Sequence, residues 1–288
     1  MRKSNNRIEK KEILRNCKRI IVCCMAVALA AGAMVGCGKK TESSSSEVLG
    51  VQKIKFASGN INDPYCFIDE SGELTGFEYD LIKAIDEEVP EIEIEIQDLD
   101  WDDMLTSVKA GKIDVAGWQI QKTPEREEEF LFSDDFASTQ EFYLVVGKNN
   151  DTVHSIEDLQ DAVVNGGSPD ESMYKFWQDY AAEHPEQNIT IISTSNPMDE
   201  AGIAALQSGS TTALRLNSIE IAKKNIQLGD ELLKRVGDPL VIGHGYYVFR
   251  KDDEKTKAAI DKGLKAVKES GKYDEITKKW FGFIEENG

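Results

Sequence analysis

The most regular stretch of the chain is 91–96, which reads EIEIEI. Strict alternation gives one apolar and one charged face, so it predicts a half-buried strand with Glu91, Glu93 and Glu95 turned to solvent. A shorter alternation predicts a strand over 53–57, and KIDVAG predicts another over 112–117. Between the strands the period changes. Phe77, Leu81, Ile82, Ala84 and Ile85 recur at helical spacing within 76–88. Trp101, Met104, Leu105 and Val108 do the same after Asp100, which suits a helix cap, and Gly111 closes that helix. After FYLVV at 142–146 the rhythm resumes. Ser155 and Asp158 stand at capping spacing, followed by strand 162–164, helix 171–182, strand 189–193, helix 198–208 and strand 213–216. The chain closes with strand 246–249, a helix over 252–269 striped by Ile260, Leu264 and Val267, a stop at Gly271 and a helix over 273–280. Strands alternating with helices predict an α/β protein with parallel pairing and βαβ crossovers, in two units of ordinary domain size.

Composition narrows the function. The 288 residues carry 34 Lys and Arg against 52 acids, a net charge of −18. Nucleic-acid binding needs a surplus of basic residues and is excluded as the main role. The positive charge is concentrated at the start, where the first 36 residues hold eight basic residues and two acids. An apolar run from Ile20 to Val35 follows, then Gly36 and Cys37. At about 16 residues the run is short of the roughly 20 that span a bilayer. A basic stretch, an apolar run and small residues before a cut form an export signal over 1–36. With Cys37 at the cut, the segment resembles a bacterial lipobox, in which that cysteine receives lipid; Met34 stands where leucine is usual. The alternatives are an ordinary signal peptide with a stray cysteine and an uncleaved anchor helix. Residues 37–52 then comprise the lipidated Cys37 and a serine-rich flexible linker. Cys66 is the one cysteine of the body and reads as a buried small hydrophobe.

Five short motifs occur in order: GELTGFEYDL at 72–81, SVKAGKIDV at 107–115, TPER at 123–126 with FSD at 132–134, ALQSG at 205–209 and KWFG at 279–282. On these the body resembles the polar-amino-acid family of solute-binding proteins of ABC importers, and the WQIQ run at 118–121 is similar to the cystine-binding branch. The resemblance implies a type II periplasmic-binding-protein-like fold, two α/β lobes joined by two crossing strands near 138–141 and 236–243. Lobe 1 would comprise 53–140 plus 244–288, and lobe 2 would comprise 141–243. It implies capture of a polar amino acid or related solute by lobe closure. The implied partners are an ABC permease and its ATPase, with the membrane reached through the N-terminal lipid.

The resemblance also points to binding residues. Thr123 suits an N-cap and Pro124 a first helical position, which puts Arg126 in a first turn, where the helix dipole disfavours a cation. A guanidinium grips a carboxylate with two parallel hydrogen bonds, and Arg126 is the expected clasp; the alternative is a surface arginine neutralised by Glu125, Glu127, Glu128 and Glu129. Trp118, Gln119 and Gln121 stand where relatives carry hydroxyl donors, and the alternative for Trp118 is a core position. Tyr65 and Phe67 are expected to cover the ligand, with Asn62 in place of a third aromatic, and Trp101 to line the cleft or the core. Ser168 and Asp170 open a helix in lobe 2. Asn217 replaces the acid that binds the ligand ammonium in relatives, and Arg215 alternates to the same strand face. The three histidines are scattered, and no P-loop, dinucleotide fingerprint or nucleophile elbow is present. Neither a cofactor nor catalysis is therefore expected. The competing readings are a sensory solute receptor and a dehydratase on the same fold.

Overall fold

The computed structural model describes residues 50–169 and 172–287. The export signal, Cys37, most of the linker and Asp170 lie outside the described residues. The first strand is β1 (Gln52–Ser58), followed by a small antiparallel flap of β2 (Ile61–Asn62), β3 (Cys66–Ile68) and β4 (Leu74–Thr75). Helix α1 (Phe77–Glu88) leads to β5 (Ile92–Asp98), α2 (Trp101–Lys109), β6 (Val115–Ile120), α3 (Pro124–Glu129) and β7 (Phe130–Phe132). The chain then crosses on β8 (Ser138–Gly147). Next come β9 (Val163–Asn165), α4 (Ser172–Glu183), β10 (Thr190–Ile192), α5 (Glu200–Ser208), β11 (Leu214–Asn217) and α6 (Ser218–Leu228). It returns on β12 (Leu233–Arg250) and ends in α7 (Glu254–Glu269) and α8 (Lys272–Asn287).

The principal sheet runs β11-β8-β12-β6-β1-β5. Its pairing is mixed rather than parallel throughout. β1 lies parallel to β5 and β6, and β9 parallel to β10, as strand–helix alternation predicts. β12 runs antiparallel to both β6 and β8, and β11 antiparallel to β8, because β8 and β12 carry the chain across and back. β12 pairs with β8 through Gly245 and with β6 from Tyr246 onward.

Each side of this ribbon has cores on both faces of its sheet. On the first, Ile54, Phe56 and Phe249 pack with α1, α7 and α8, while Ala57, Ala116 and Val248 pack with Met104 and Val108 of α2. On the second, Leu144, Val146 and Ala213 meet Trp177, and Val145, Leu214 and Leu216 meet Ile203, Leu206 and Ile221. Alternation thus sends neighbouring strand residues to opposite layers.

The EIEIEI segment behaves as its pattern requires: Ile92 is buried, Glu93 and Glu95 are exposed, and Lys53 of the adjacent strand reaches Glu95 at 3.3 Å. Cys66 is buried, and burial pushes its thiol pKa up to about 12, far from a nucleophile. Two elements exceed the pattern. α6 is absent from the hydrophobic reading, and β12 is 18 residues long where only 246–249 alternates clearly. A register shift between Val236 and Val241 interrupts that alternation.

Candidate functional site

β1, β6 and β5 are parallel, so their carboxyl ends share one edge of the first lobe. Open α/β sheets present ligand sites at such edges. Here β6 runs into a loop whose backbone is unusual: Trp118 has φ 80° and Gln119 φ 48°, a left-handed region that non-glycine residues rarely adopt. Such conformations persist only where the surroundings enforce them.

Glu78 supplies the enforcement. It lies in the first turn of α1, where the helix dipole favours an anion, and is only 3% exposed. Its carboxylate accepts the backbone N–H of Trp118 at 2.7 Å and that of Gln119 at 2.9 Å. It also accepts from the Gln119 side-chain amide and the Ser58 hydroxyl. Burial raises its pKa, and these four donors oppose that rise.

The ordered loop gathers the sequence-expected residues. The Trp118 ring lies against the backbone of Gly59, where any Cβ would collide with it. Trp101, at the start of α2 and 46% exposed, meets Trp118 edge to face with centroids 5.6 Å apart. Asn62 donates to Gln119 Oε1 at 2.6 Å. Thr123 caps α3 by accepting the Arg126 N–H at 3.3 Å. The Arg126 guanidinium donates to Gln121 O at 2.9 Å and lies 6.0 Å from the Trp101 ring centre. Among the described residues no acid stands within ion-pairing distance of it; Glu129 pairs with Lys109 at 2.8 Å. Gln121 approaches β12 at Gly243, and the backbone of Gln119 leaves room only for glycine at Gly245. Arg126 also borders an open depression of about 560 Å³ on the α2 flank, with Leu105, Thr106 and Phe130.

Other expected residues lie elsewhere. Tyr65 is buried, donates to Thr139 O at 3.1 Å and packs on Phe77 and Phe281. Phe67 meets Trp280 of α8 with centroids 5.9 Å apart. Both aromatics therefore face the C-terminal helix rather than the Trp118–Arg126 group. Ser168 is half-buried in the loop between β9 and α4, which Asn165 orders by accepting the Gly167 N–H at 3.1 Å.

Asn217 is the N-cap of α6. Its Oδ1 accepts the Glu220 N–H at 2.8 Å, and its own N–H donates to Glu220 Oε2 at 2.9 Å. That reciprocal pair is a capping box, and it explains the helix the apolar pattern missed. The N-x-x-E spacing at 217–220 carried the signal. Glu78 was also visible inside the 72–81 motif, but only the fold shows where its carboxylate points.

Comparison with known proteins bears on the family and the fold. A family model described as bacterial extracellular solute-binding proteins, family 3, matches residues 54–283. An L-cystine-binding protein of Bacillus subtilis (TcyK) is 27% identical over 250 residues, covering 85% of this chain and 90% of the relative. The crystal structure of the probable amino-acid ABC transporter extracellular-binding protein ytmK from Bacillus subtilis is 27% identical, with a TM-score of 0.68, covering 81% of this chain and 98% of the other. A putative L-cystine ABC transporter structure from Listeria monocytogenes is also 27% identical, with a TM-score of 0.55, covering 81% and 97%.

Proposed function

The chain belongs to the bacterial extracellular solute-binding proteins, family 3, and on that premise we propose that it captures an amino acid or amino-acid-like solute between its lobes and delivers it to the permease of an ABC importer. Its fold is the type II periplasmic-binding-protein architecture, two α/β lobes joined by two crossing strands. The lobes divide as 53–140 plus 244–288 and 141–243. The protein acts by binding rather than turnover, and the permease works with its own ATPase. Cys37 carries the lipid that holds the protein at the outer face of the membrane.

One observation carries the reading. Consecutive elements between 101 and 126 bring Trp101, Trp118, Gln119, Gln121 and Arg126 to one strand edge, where the guanidinium has a single backbone carbonyl as hydrogen-bond partner among the described residues. A cation so placed keeps donors for a carboxylate. Arg126 takes the α-carboxylate, Gln121 orients it, Gln119 holds the loop through its bonds to Glu78 and Asn62, and Trp101 and Trp118 cover the apolar part. Asn217 spends its side-chain oxygen on capping α6, so recognition of an ammonium falls to other groups. The test is thermal unfolding of the purified protein with cystine, the standard amino acids, dipeptides and small amines. A solute at 100 times its dissociation constant stabilises by about 2.7 kcal/mol. Absence of any shift across that set rejects the proposal.

A further inference from the structure

The second lobe holds a buried cation. Arg215 lies in β11 and is only 7% exposed. Its guanidinium carbon stands 4.6 Å from the Phe142 ring centre and 4.9 Å from that of Phe176. Its Nε makes no hydrogen bond, and no described acid lies within ion-pairing distance. The field of Glu220 favours its charge, but that carboxylate accepts the Asn217 N–H at 2.9 Å. Burial lowers its pKa, yet a guanidinium remains protonated in proteins. The two rings stabilise the cation from their faces and leave its edge, where the donors lie, without a protein carboxylate among the described residues. A charge taken out of water with no carboxylate against it among the described residues is costly, so such a group points to an anion that arrives from outside.

Its position fits. Asn217 pairs with Phe142 at the end of the β11–β8 ladder that adjoins the crossing strands, and Arg215 is the next residue on that face. Phe176 lies in the early part of α4, which follows the loop at the carboxyl end of β9. Arg215 therefore stands near the strand-end edge of the second lobe, as Arg126 stands at that of the first.

We propose that Arg215 is a second anion anchor and that the solute is a diacid, with one carboxylate on Arg126 and another acidic group on Arg215. This rests on the reading of Arg126 given above.

The experiment uses the full-length chain purified in detergent and isothermal titration with pairs differing by one carboxylate: L-glutamate and L-glutamine, meso-2,6-diaminopimelate and L-lysine, and L-cystine and the cysteine–cysteamine disulfide. At least one diacid is expected to bind about tenfold or more tightly than its partner. In Arg215→Met that ratio falls to about one while the mono-acid affinity stays within about twofold, and Arg215→Lys retains part of the preference. Ratios near one for every pair in the unaltered protein overturn the proposal, as does an unchanged ratio in Arg215→Met. If Arg215→Met does not fold, the ratio in the unaltered protein decides. Mono-acid binding without diacid preference defeats the second anchor alone. No binding by any member defeats the amino-acid reading together with it.

Discussion

The carboxylate of Glu78 accepts the backbone N–H of Trp118 at 2.7 Å, and so a side chain from the first turn of one helix sets the backbone of the loop that leads to Arg126. The positive φ values at Trp118 and Gln119 are the cost of that arrangement, and the four donors converging on Glu78 offset it.

Replacement of this acid tests the relationship. Glu78→Gln puts an amide NH₂ where backbone N–H groups now find an acceptor, and leaving buried donors unmet costs about 1–3 kcal/mol. The variant is expected to unfold at lower denaturant concentration and to bind solute more weakly, because its loop is no longer held. The pH dependence has a definite sign. Burial raises the Glu78 pKa above its ordinary 4.5, so between 4.5 and the raised value the folded protein keeps a proton that the unfolded chain has lost. Stability contributed by this group therefore falls as pH rises through that window. The stability difference between the unaltered protein and Glu78→Gln, followed by chemical denaturation from pH 4 upward, is expected to shrink as pH rises through that window.

Arg126 is tested by charge-preserving and charge-removing changes. Arg126→Lys keeps the charge but loses the planar fork, and is expected to weaken solute binding by about tenfold; Arg126→Ala loses both, with an effect of about a hundredfold. Both should unfold within a few degrees of the parent, since the guanidinium makes one hydrogen bond to the protein. Titration calorimetry beside thermal unfolding separates the two effects.

The contact of Trp118 with Gly59 predicts an effect from a single methyl group. Gly59→Ala drives Cβ into the indole, and overpacking of this kind costs about 1–3 kcal/mol. The displaced ring also leaves its edge-to-face contact with Trp101. A shift in tryptophan emission together with a lowered melting temperature is the expected signature.

Asn225 ties α6 to two other segments. Its amide donates to Leu233 O and to Asn287 O, each at 3.0 Å, and its Oδ1 accepts the Leu233 N–H at 3.0 Å. Asn225→Asp sets an acceptor against two carbonyls in a buried position, with an expected loss of about 2–3 kcal/mol in denaturant titration. Asn225→Ala loses the same bonds without the added charge and should be the milder change.

The lipid reading stands on sequence alone and has its own test. Cys37→Ser is expected to move the protein from the detergent phase to the aqueous phase on phase partition, and to abolish labelling by radioactive palmitate. Retention of the label in the variant rejects Cys37 as the acceptor.

What the sequence disclosed follows from how local each signal is. The 91–96 strand and the helices expected after Asp100 and over 252–269 are written in the spacing of neighbouring residues, and the fold reproduces them, although the Asp100 side chain makes no capping bond. α6 escaped the apolar reading, although its capping box was present in the sequence. The group around Arg126 was reached through motifs whose members happen to converge on one edge. Tyr65 and Phe67 turn toward α8, more than 200 residues further along the chain, and no local pattern reports that. Glu78 looked like an ordinary first-turn acid, because burial of a carboxylate is decided by what the rest of the chain packs over it.

The paired crossing of β8 and β12 has a mechanical consequence. Gln140 with Gly243, Thr139 with His244 and Ser138 with Gly245 form a hydrogen-bonded ladder between the lobes. A ladder of this kind curls and twists cheaply but resists stretching and sliding, since either would break its rungs. The two halves can swing together or apart, but their spacing at the pivot stays constant. The opening between the halves is therefore set by the angle of the swing alone.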